Sequence, residues 1–500
     1  MIAMACVLLS AAGFYLSLGL GTQWWLLWIA PVPVLWLAFG RITGWKAFLA
    51  AWAACALGLS NLEHAYGGVF PAPILALDIL MPSALFAAVT IGARRIAIVF
   101  GPVAAMLSFG ALWAGLDLLL SLDPAVGSML SPASTQVGAP LLIQSAALVG
   151  FPGVTSLLGT TAAGIALSLR ARNPAPVLIA MGLFAANAAY GVWRVSQEPP
   201  ARLRVALIDS NTYGYWAPAY HEHQATAAAE ASALQVIDAY TAQIEQLRGR
   251  GVQLVVLPEN MAGIAPGWRD RAWKRLSAAA DASGATVVGG FNMVSDGALR
   301  NVALAFAPGA TQPSLYAKRR LVPVAESDFF SPGPGPLVLA DGAGVEICLD
   351  MDSPGMIRRD AVAARPRFLA VPASEIGTHG DWMGLGSAAD DWFHARDAVL
   401  RSVENGVPMA RSALRGLLTL NDRNGRITAQ ARTAGGFTTL VGELPLSAGA
   451  GATPYDRIGN AFGWLCLVLG TGLVGASWGR RAAQSGPRPS QAGTTVDSTV

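Results

Sequence analysis

The feature that most restricts this chain is where its apolar residues lie. They crowd into Ile2 to Trp193 and return at Ile458 to Trp478, whereas Leu203 to Leu446 alternates charged and apolar stretches as a folded aqueous domain does. A bilayer core of about 30 Å takes roughly 20 apolar residues per helix. The first block then divides into seven spans: Ile2 to Leu20, Trp24 to Gly40, Trp45 to Ser60, Val69 to Ile91, Ala97 to Leu120, Leu141 to Leu169 and Pro176 to Trp193. Ile458 to Trp478 is an eighth. Composition agrees, since 53% hydrophobic residues against 13% charged is too apolar for an ordinary soluble protein. No Lys or Arg precedes the apolar run of Ile2 to Leu20 and another span follows at once, so this segment reads as a retained helix, not a cleaved leader.

Basic residues orient the spans, because cytoplasmic loops carry the excess of Lys and Arg. Arg41 and Lys46, Arg94 and Arg95, Arg170 and Arg172, and Arg480 and Arg481 fall in alternate loops or after the last span, while Gly21 to Gln23, Asn61 to Gly68 and Ser121 to Pro140 hold none. An inward N-terminus places every basic cluster in the cytoplasm. The expected layout is a seven-helix membrane domain (1–195), an extracytoplasmic domain (202–447), a closing helix (458–478) and a disordered cytoplasmic tail (482–500). In a bacterium with two membranes, the host would be the inner membrane and the domain periplasmic. A net charge of +3, with no basic run, gives no sign of nucleic-acid binding.

Of four cysteines, Cys6, Cys55 and Cys466 lie in spans and only Cys348 in the aqueous domain. A lone cysteine is by default a small buried hydrophobe. Lysine is nearly absent: Lys46, Lys274 and Lys318 stand among 34 basic residues. An ammonium can change protonation state where a guanidinium cannot, so a retained lysine invites a reason. Lys274 lies on an amphipathic exposed helix at Trp268 to Ser283; Lys318 has no such explanation. Period-two runs predict strands at Leu203 to Ser210, Val252 to Leu257, Ala285 to Phe291, Asn301 to Ala307, Gly344 to Leu349, Phe368 to Pro372 and Pro408 to Ala413. Further helices are predicted at Ala227 to Gly249 and Ala388 to Asn405, giving sheets covered by helices.

Leu257-Pro258-Glu259, Tyr316-Ala317-Lys318-Arg319-Arg320-Leu321-Val322-Pro323 and Glu346-Ile347-Cys348 follow one another in that order. With Asn301 ahead of the lysine, and Arg401, Glu404, Asn405, Gly406, Pro408 and Arg411 after the cysteine, they resemble the signatures of the nitrilase superfamily. The resemblance implies an α-β-β-α sandwich in which Cys348 is the nucleophile and Glu259 and Lys318 its partners. The residue types suit such chemistry. A thiol needs a base or a positive neighbour at neutral pH. A carboxylate of raised pKa can take and return its proton, and an ammonium can stabilise an oxyanion. The bland alternative is an ion pair beside a buried cysteine.

Seven helices, a catalytic domain and a closing helix together resemble the apolipoprotein N-acyltransferases. That resemblance implies an acyl chain moving from a phospholipid, through a cysteine thioester, to the amine of a lipoprotein or another acceptor. It also implies accessory roles for Glu326 and Asp350, and no cofactor or metal. Acyl chains cost about 0.8 kcal/mol per methylene to expose to water, which explains the membrane anchor. The flanking helices favour a monomer. Departures stand at Val324-Ala325, Asp350, Ser374, Glu375 and Ala413, and Asp352 adds a second carboxylate after the cysteine. His221-x-His223 has metal-ligand spacing but no partner nearby, and reads as an exposed loop. His379 and His394 either line the entrance or pack. Asp78 and Asp117 within spans are costly in lipid, yet no broken-helix repeat suggests transport. A membrane-tethered amidase and a lipid-binding domain without chemistry are the alternatives.

Overall fold

The computed structural model describes residues 1–67, 71–123, 126–213, 225–323, 325–375, 386–433, 435–447 and 453–484. His221, His223, His379, Val324 and the tail from 485 onward lie outside them. Each apolar run contains helix; Arg41 and Arg172 do stand at helix breaks, but other breaks fall at glycine and proline and not at charge. The helix Ala72–Phe100 runs through Arg94 and Arg95, stops at Gly101 with φ +88°, and is followed by Pro102–Ser121. Glycine accepts the left-handed φ, and proline suits a first helical turn because its missing N–H would have no partner there. Gly150, at φ +78°, ahead of Pro152 does the same, so the expected span Leu141 to Leu169 becomes a four-residue turn, Ala146–Val149, and a helix, Phe151–Ala171. Trp24 to Gly40 divides into a 3-10 segment, Trp24–Trp28, and the helix Val32–Ala38, which Pro31 and Pro33 open.

Arg94 and Arg95 therefore do not form a loop. Arg94 donates to the carbonyls of Ala38, Gly40 and Ile42 beyond another helix end, and Arg95 donates to Ser477 O at 3.0 Å. Among the described helices, five are long and apolar enough to cross a membrane: Ala72–Phe100, Pro102–Ser121, Phe151–Ala171, Ala175–Val195 and Ala461–Arg480. Ile2–Ser17 and Gly44–Leu59, at 16 residues each, are shorter than a full crossing. Leu8, Leu9, Ile98, Leu178 and Val468 face outward uncovered, a surface compatible with lipid. Inside, Phe86 meets Phe14 and Trp113 edge to face at 5.3 and 5.4 Å. Gly110 lets Pro102–Ser121 approach Phe151–Ala171 so closely that a Cβ there would lie 2.1 Å from Thr160 Oγ1.

The aqueous half builds two sheets. Its strands are β1 (Ala201–Ser210), β2 (Leu254–Val256), β3 (Ala262–Ile264), β4 (Thr286–Ser295), β5 (Ala298–Phe306), β6 (Ser314–Ala317), β7 (Leu337–Val338), β8 (Ala343–Val345), β9 (Phe368–Ser374), β10 (Met409–Leu414), β11 (Leu417–Asn421), β12 (Ile427–Arg432) and β13 (Phe437–Leu446). One sheet runs β13-β1-β2-β4-β5-β6 with β3 beside β4; the other runs β12-β11-β10-β9-β8-β7. Alternation along β1 sorts the layers. Ala206 and Ile208 pack with the helices Ala227–Glu245 and Arg269–Ser283, while Val205 and Leu207 meet Ala370, Ala410 and Leu418 of the second sheet. Pro354–Ala364 and Gly386–Asn405 cover the far side through Ile357, Ala361 and Ala398. The result is an α-β-β-α sandwich.

Strands β3, β6, β7 and β11 to β13 and the helix Pro354–Ala364 are additions to the sequence reading. The expected strand Gly344 to Leu349 ends at Val345, because the chain turns into a 3-10 helix, Cys348–Asp352. Antiparallel pairing of β1 with β13, Ala201 opposite Leu446, brings the start of the sandwich beside its end.

Candidate active site

Each of the three motif residues follows a strand. Glu259 stands three residues beyond β2, Lys318 directly after β6, and Cys348 three residues beyond β8. Loops at strand ends carry side chains out of the ladder while the sheets hold their roots. Glu259 N donates to Ala373 O of the opposite sheet at 3.0 Å, and Gly290 N donates to Pro258 O at 2.9 Å. Gly290 cannot be larger, since a Cβ there would lie 2.4 Å from Glu259 Cα. Lys318 N donates to Asn301 O at 2.9 Å, which ties the lysine to β5.

The side chains converge in a buried cluster. Lys318 Nζ donates to Glu259 Oε1 at 2.8 Å and to Glu326 Oε1 at 2.9 Å. Asn301 Nδ2 donates to the same two oxygens at 2.6 and 2.9 Å. Glu326 Oε2 accepts from Val322 N at 2.8 Å. One ammonium thus faces two carboxylates. Burial pushes the Glu259 carboxyl above its ordinary range; Lys318 opposes this, and the charge of Glu326 adds to it. Burial works against the Lys318 ammonium, but Glu259 and Glu326 outweigh it and hold that group well above its usual value.

Cys348 is partly exposed, whereas Cys6, Cys55 and Cys466 are buried. Its φ is +44°, a left-handed conformation that costs a non-glycine residue on the order of 1–3 kcal/mol and persists only where neighbours impose it. The thiol points to Ser374 O at 3.6 Å. Burial pushes it well above the ordinary thiol range and the charge of Glu259 pushes further, while Lys318 pulls the other way. Glu375 and Arg411 form an ion pair whose two charges also act on the thiol, Glu375 raising it and Arg411 lowering it.

Asp350 does not join the lysine cluster. Its Oδ1 accepts from Arg319 N at 3.2 Å and Arg320 N at 2.8 Å; its Oδ2 accepts from Ile347 N at 3.0 Å and Tyr316 Oη at 2.8 Å. It therefore laces the backbone of the lysine motif to that of the cysteine motif. Arg319 reinforces the lacing through Glu346 at 2.9 Å and Asp360. Sequence reading singled out neither Arg319 nor Glu346 as a fastener, although both lie inside quoted motifs. Asp117 accepts from Ser131 Oγ at 2.8 Å and from Thr155 Oγ1, and Gln144 Nε2 donates to Asn424 O of the sandwich at 2.8 Å. Neither bonds to Glu259, Lys318 or Cys348. His394 packs between Tyr66 and Asp352. Among the described residues, no group of His, Cys, Asp and Glu is arranged to hold a metal ion.

The carbon-nitrogen hydrolase family matches residues 205–451, which span the two sheets and every residue of this cluster. Residues 205–451 are a carbon-nitrogen hydrolase domain. Beyond this hydrolase domain, the chain is 28% identical over 510 residues to an apolipoprotein N-acyltransferase of Geobacter metallireducens, with 91% of each chain covered. Solved structures similar to the domain include a carbon-nitrogen hydrolase from Helicobacter pylori G27 (15% identity, TM-score 0.40), which covers 49% of this chain and 89% of that one. Another is the superfamily protein XC1258 from Xanthomonas campestris (19% identity, TM-score 0.36), covering 50% and 91%.

Proposed function

We propose that this protein is a membrane-bound N-acyltransferase that moves a fatty acyl chain from a phospholipid, through a thioester on Cys348, to an amine, the N-terminal diacylglyceryl cysteine of lipoproteins. The observation that carries the reading is one hydrolase domain set between apolar helices, with a partly exposed thiol beside a buried Glu-Lys pair. Similarity to an apolipoprotein N-acyltransferase along 91% of the chain supports it.

In this reading, Glu259 takes the thiol proton as Cys348 Sγ attacks the ester carbonyl. Among the described residues, both bonds to Glu259 end on Oε1, so Oε2 is the oxygen for proton transfer. A raised carboxyl pKa suits the exchange, because the proton must be both accepted and returned near neutral pH. Lys318 Nζ, 2.8 Å from Glu259 Oε1 and within 2.9 Å of both oxygens of Glu326, brings its positive charge to the developing oxyanion. Collapse of the tetrahedral intermediate expels the lysophospholipid alkoxide, which recovers its proton from Glu259. The acceptor amine then attacks the thioester, Glu259 takes the amine proton, and the amide leaves with the thiol restored. Asp350 keeps the lysine and cysteine motifs in register without touching the reacting atoms.

The proposed layout keeps the N-terminus and the tail in the cytoplasm, the hydrolase domain outside it and the chain monomeric. The test is incubation with phosphatidylethanolamine followed by intact-protein mass spectrometry, and then addition of a diacylated lipopeptide. Wild type is expected to gain one acyl mass and pass it to the lipopeptide, and Cys348→Ala to gain none. Release of free fatty acid with no acylated lipopeptide would favour the second reading, a tethered hydrolase.

A further inference from the structure

We infer that the membrane half holds the nucleophile in place through Asp352, with Gly127, Ser128 and His394 as positioning residues for Cys348. The inference rests on the proposed function only in taking Cys348 as the reacting atom.

Cys348 opens a single 3-10 turn that Asp352 closes. A turn of this length has poor intrinsic hydrogen bonding, and its first residue has the unfavourable φ of +44°. Asp350 fastens the middle of the turn to the lysine motif, and its far end is held from outside the hydrolase domain. On the far end, Asp352 O accepts from Ser128 N at 2.9 Å, while Ser128 Oγ donates to Asp397 Oδ1 at 2.7 Å. Ser128 lies between the helices Pro102–Ser121 and Phe151–Ala171, and so belongs to the apolar half. Beside it Gly127, at φ +58°, packs so tightly that a Cβ would lie 2.2 Å from Asp352 O. The same loop reaches the lysine motif, since Arg320 Nη2 donates to Asp123 O at 2.9 Å.

A second tie meets the carboxylate of Asp352. His394 Nδ1 lies 3.9 Å from Asp352 Oδ2, and its Nε2 hydrogen-bonds Tyr66 Oη at 3.0 Å. Tyr66 ends the short helix Leu62–Tyr66, which follows Gly44–Leu59. Ser128 thus holds Asp352 directly, while Tyr66 sets His394 against its carboxylate, so two separate segments of the apolar half bear on the residue four places after the thiol. A shift of about 1 Å in a reacting group can cost on the order of 100-fold in rate, so this clamp sets the aim of Sγ. The turn that carries the nucleophile is accordingly held from two sides, at Asp350 by the lysine motif of the hydrolase domain and at Asp352 by the membrane half.

The test uses the full chain in detergent micelles and two readouts. One is the pH profile of Cys348 alkylation by iodoacetamide, followed on the Cys348 peptide, which requires no lipid substrate. The other is acyl-enzyme formation from phosphatidylethanolamine. Gly127→Ala is expected to slow acylation at least about tenfold and to move the alkylation profile, and Ser128→Ala to do the same to a smaller degree. Ser128→Thr, which keeps both donors, is expected to restore wild-type values. Gly182→Ala is the control, since a Cβ there meets nothing within 4 Å. If Gly127→Ala does not fold, Ser128→Ala against Ser128→Thr decides. Alkylation and acylation within twofold of wild type in the folded variants, with only a lower melting temperature, would overturn the inference. A wild type that alkylates but never acylates would defeat the proposed function instead, and a shifted alkylation profile in the variants would leave the clamp standing.

Discussion

Glu259 and Asp117 are both almost fully buried carboxylates, at 1% and 4% exposure, yet they are satisfied in opposite ways. Glu259 sits in the hydrolase domain against an ammonium that it shares with Glu326, and in the proposed function it exchanges a proton with the thiol. Asp117 sits inside the helix Pro102–Ser121 and accepts from the hydroxyls of Ser131 and Thr155, which join three segments of the apolar half. Hydroxyls hold a carboxylate in place; an ammonium beside a second carboxylate also tunes how it titrates. The same functional group is equipped for chemistry in one region and for fastening in the other.

The sharpest way to break the contrast is Glu259→Gln. Loss of the base is expected to slow acyl-enzyme formation by about 10²- to 10⁴-fold. The thiol, however, is raised first by burial and then by the charge of Glu259. Removing that charge takes away one of the raising influences, so the alkylation profile of Cys348 should move to lower pH while acylation collapses. No movement would show that the carboxyl is already uncharged in the free protein.

Asp350→Asn tests a carboxylate of the fastening kind inside the hydrolase domain. Its oxygens accept three backbone N–H groups and a phenol, and an amide would set its NH₂ against donors. Stability is expected to fall by about 2 kcal/mol in chemical denaturation, with a moderate loss of acylation rate as the two motifs lose register. Unchanged denaturation would remove Asp350 from its lacing role.

Asp117→Asn should have the smallest effect. The amide keeps one acceptor oxygen, so a cost of about 1 kcal/mol is expected, and acylation per folded molecule should stay within twofold of wild type. A large drop in acylation at full stability would place Asp117 in the chemistry and erase the distinction between the two carboxylates.

Much of the site is legible along the chain, because each residue sits in a short motif and the surrounding strands carry period-two runs. Lys318 stands out by its rarity and Cys348 by being the cysteine outside the spans. The strand boundaries near the thiol are less legible. β8 stops early because the chain turns into a 3-10 helix whose first residue, Cys348, has a left-handed φ that no side-chain pattern announces. In the apolar half, charge misplaced the loop at Arg94 and Arg95, since each guanidinium finds carbonyls beyond its own helix. Gly101-Pro102 marks the real break.

What the sequence by itself determined is local: apolar length marks the segments that hold helix, alternation marks most of the strands, and motif chemistry nominates Glu259, Lys318 and Cys348. What only the tertiary structure decided is which distant groups share a charge or hold a turn. Asn301 bridging Glu259 to Glu326, Asp350 lacing two motifs, and Ser128 and Tyr66 reaching Asp352 directly or through His394 all join residues from different elements. The reason is physical. Secondary structure follows from periodicities within a few residues, whereas burial of a charge must be compensated by whatever partner the fold brings to it.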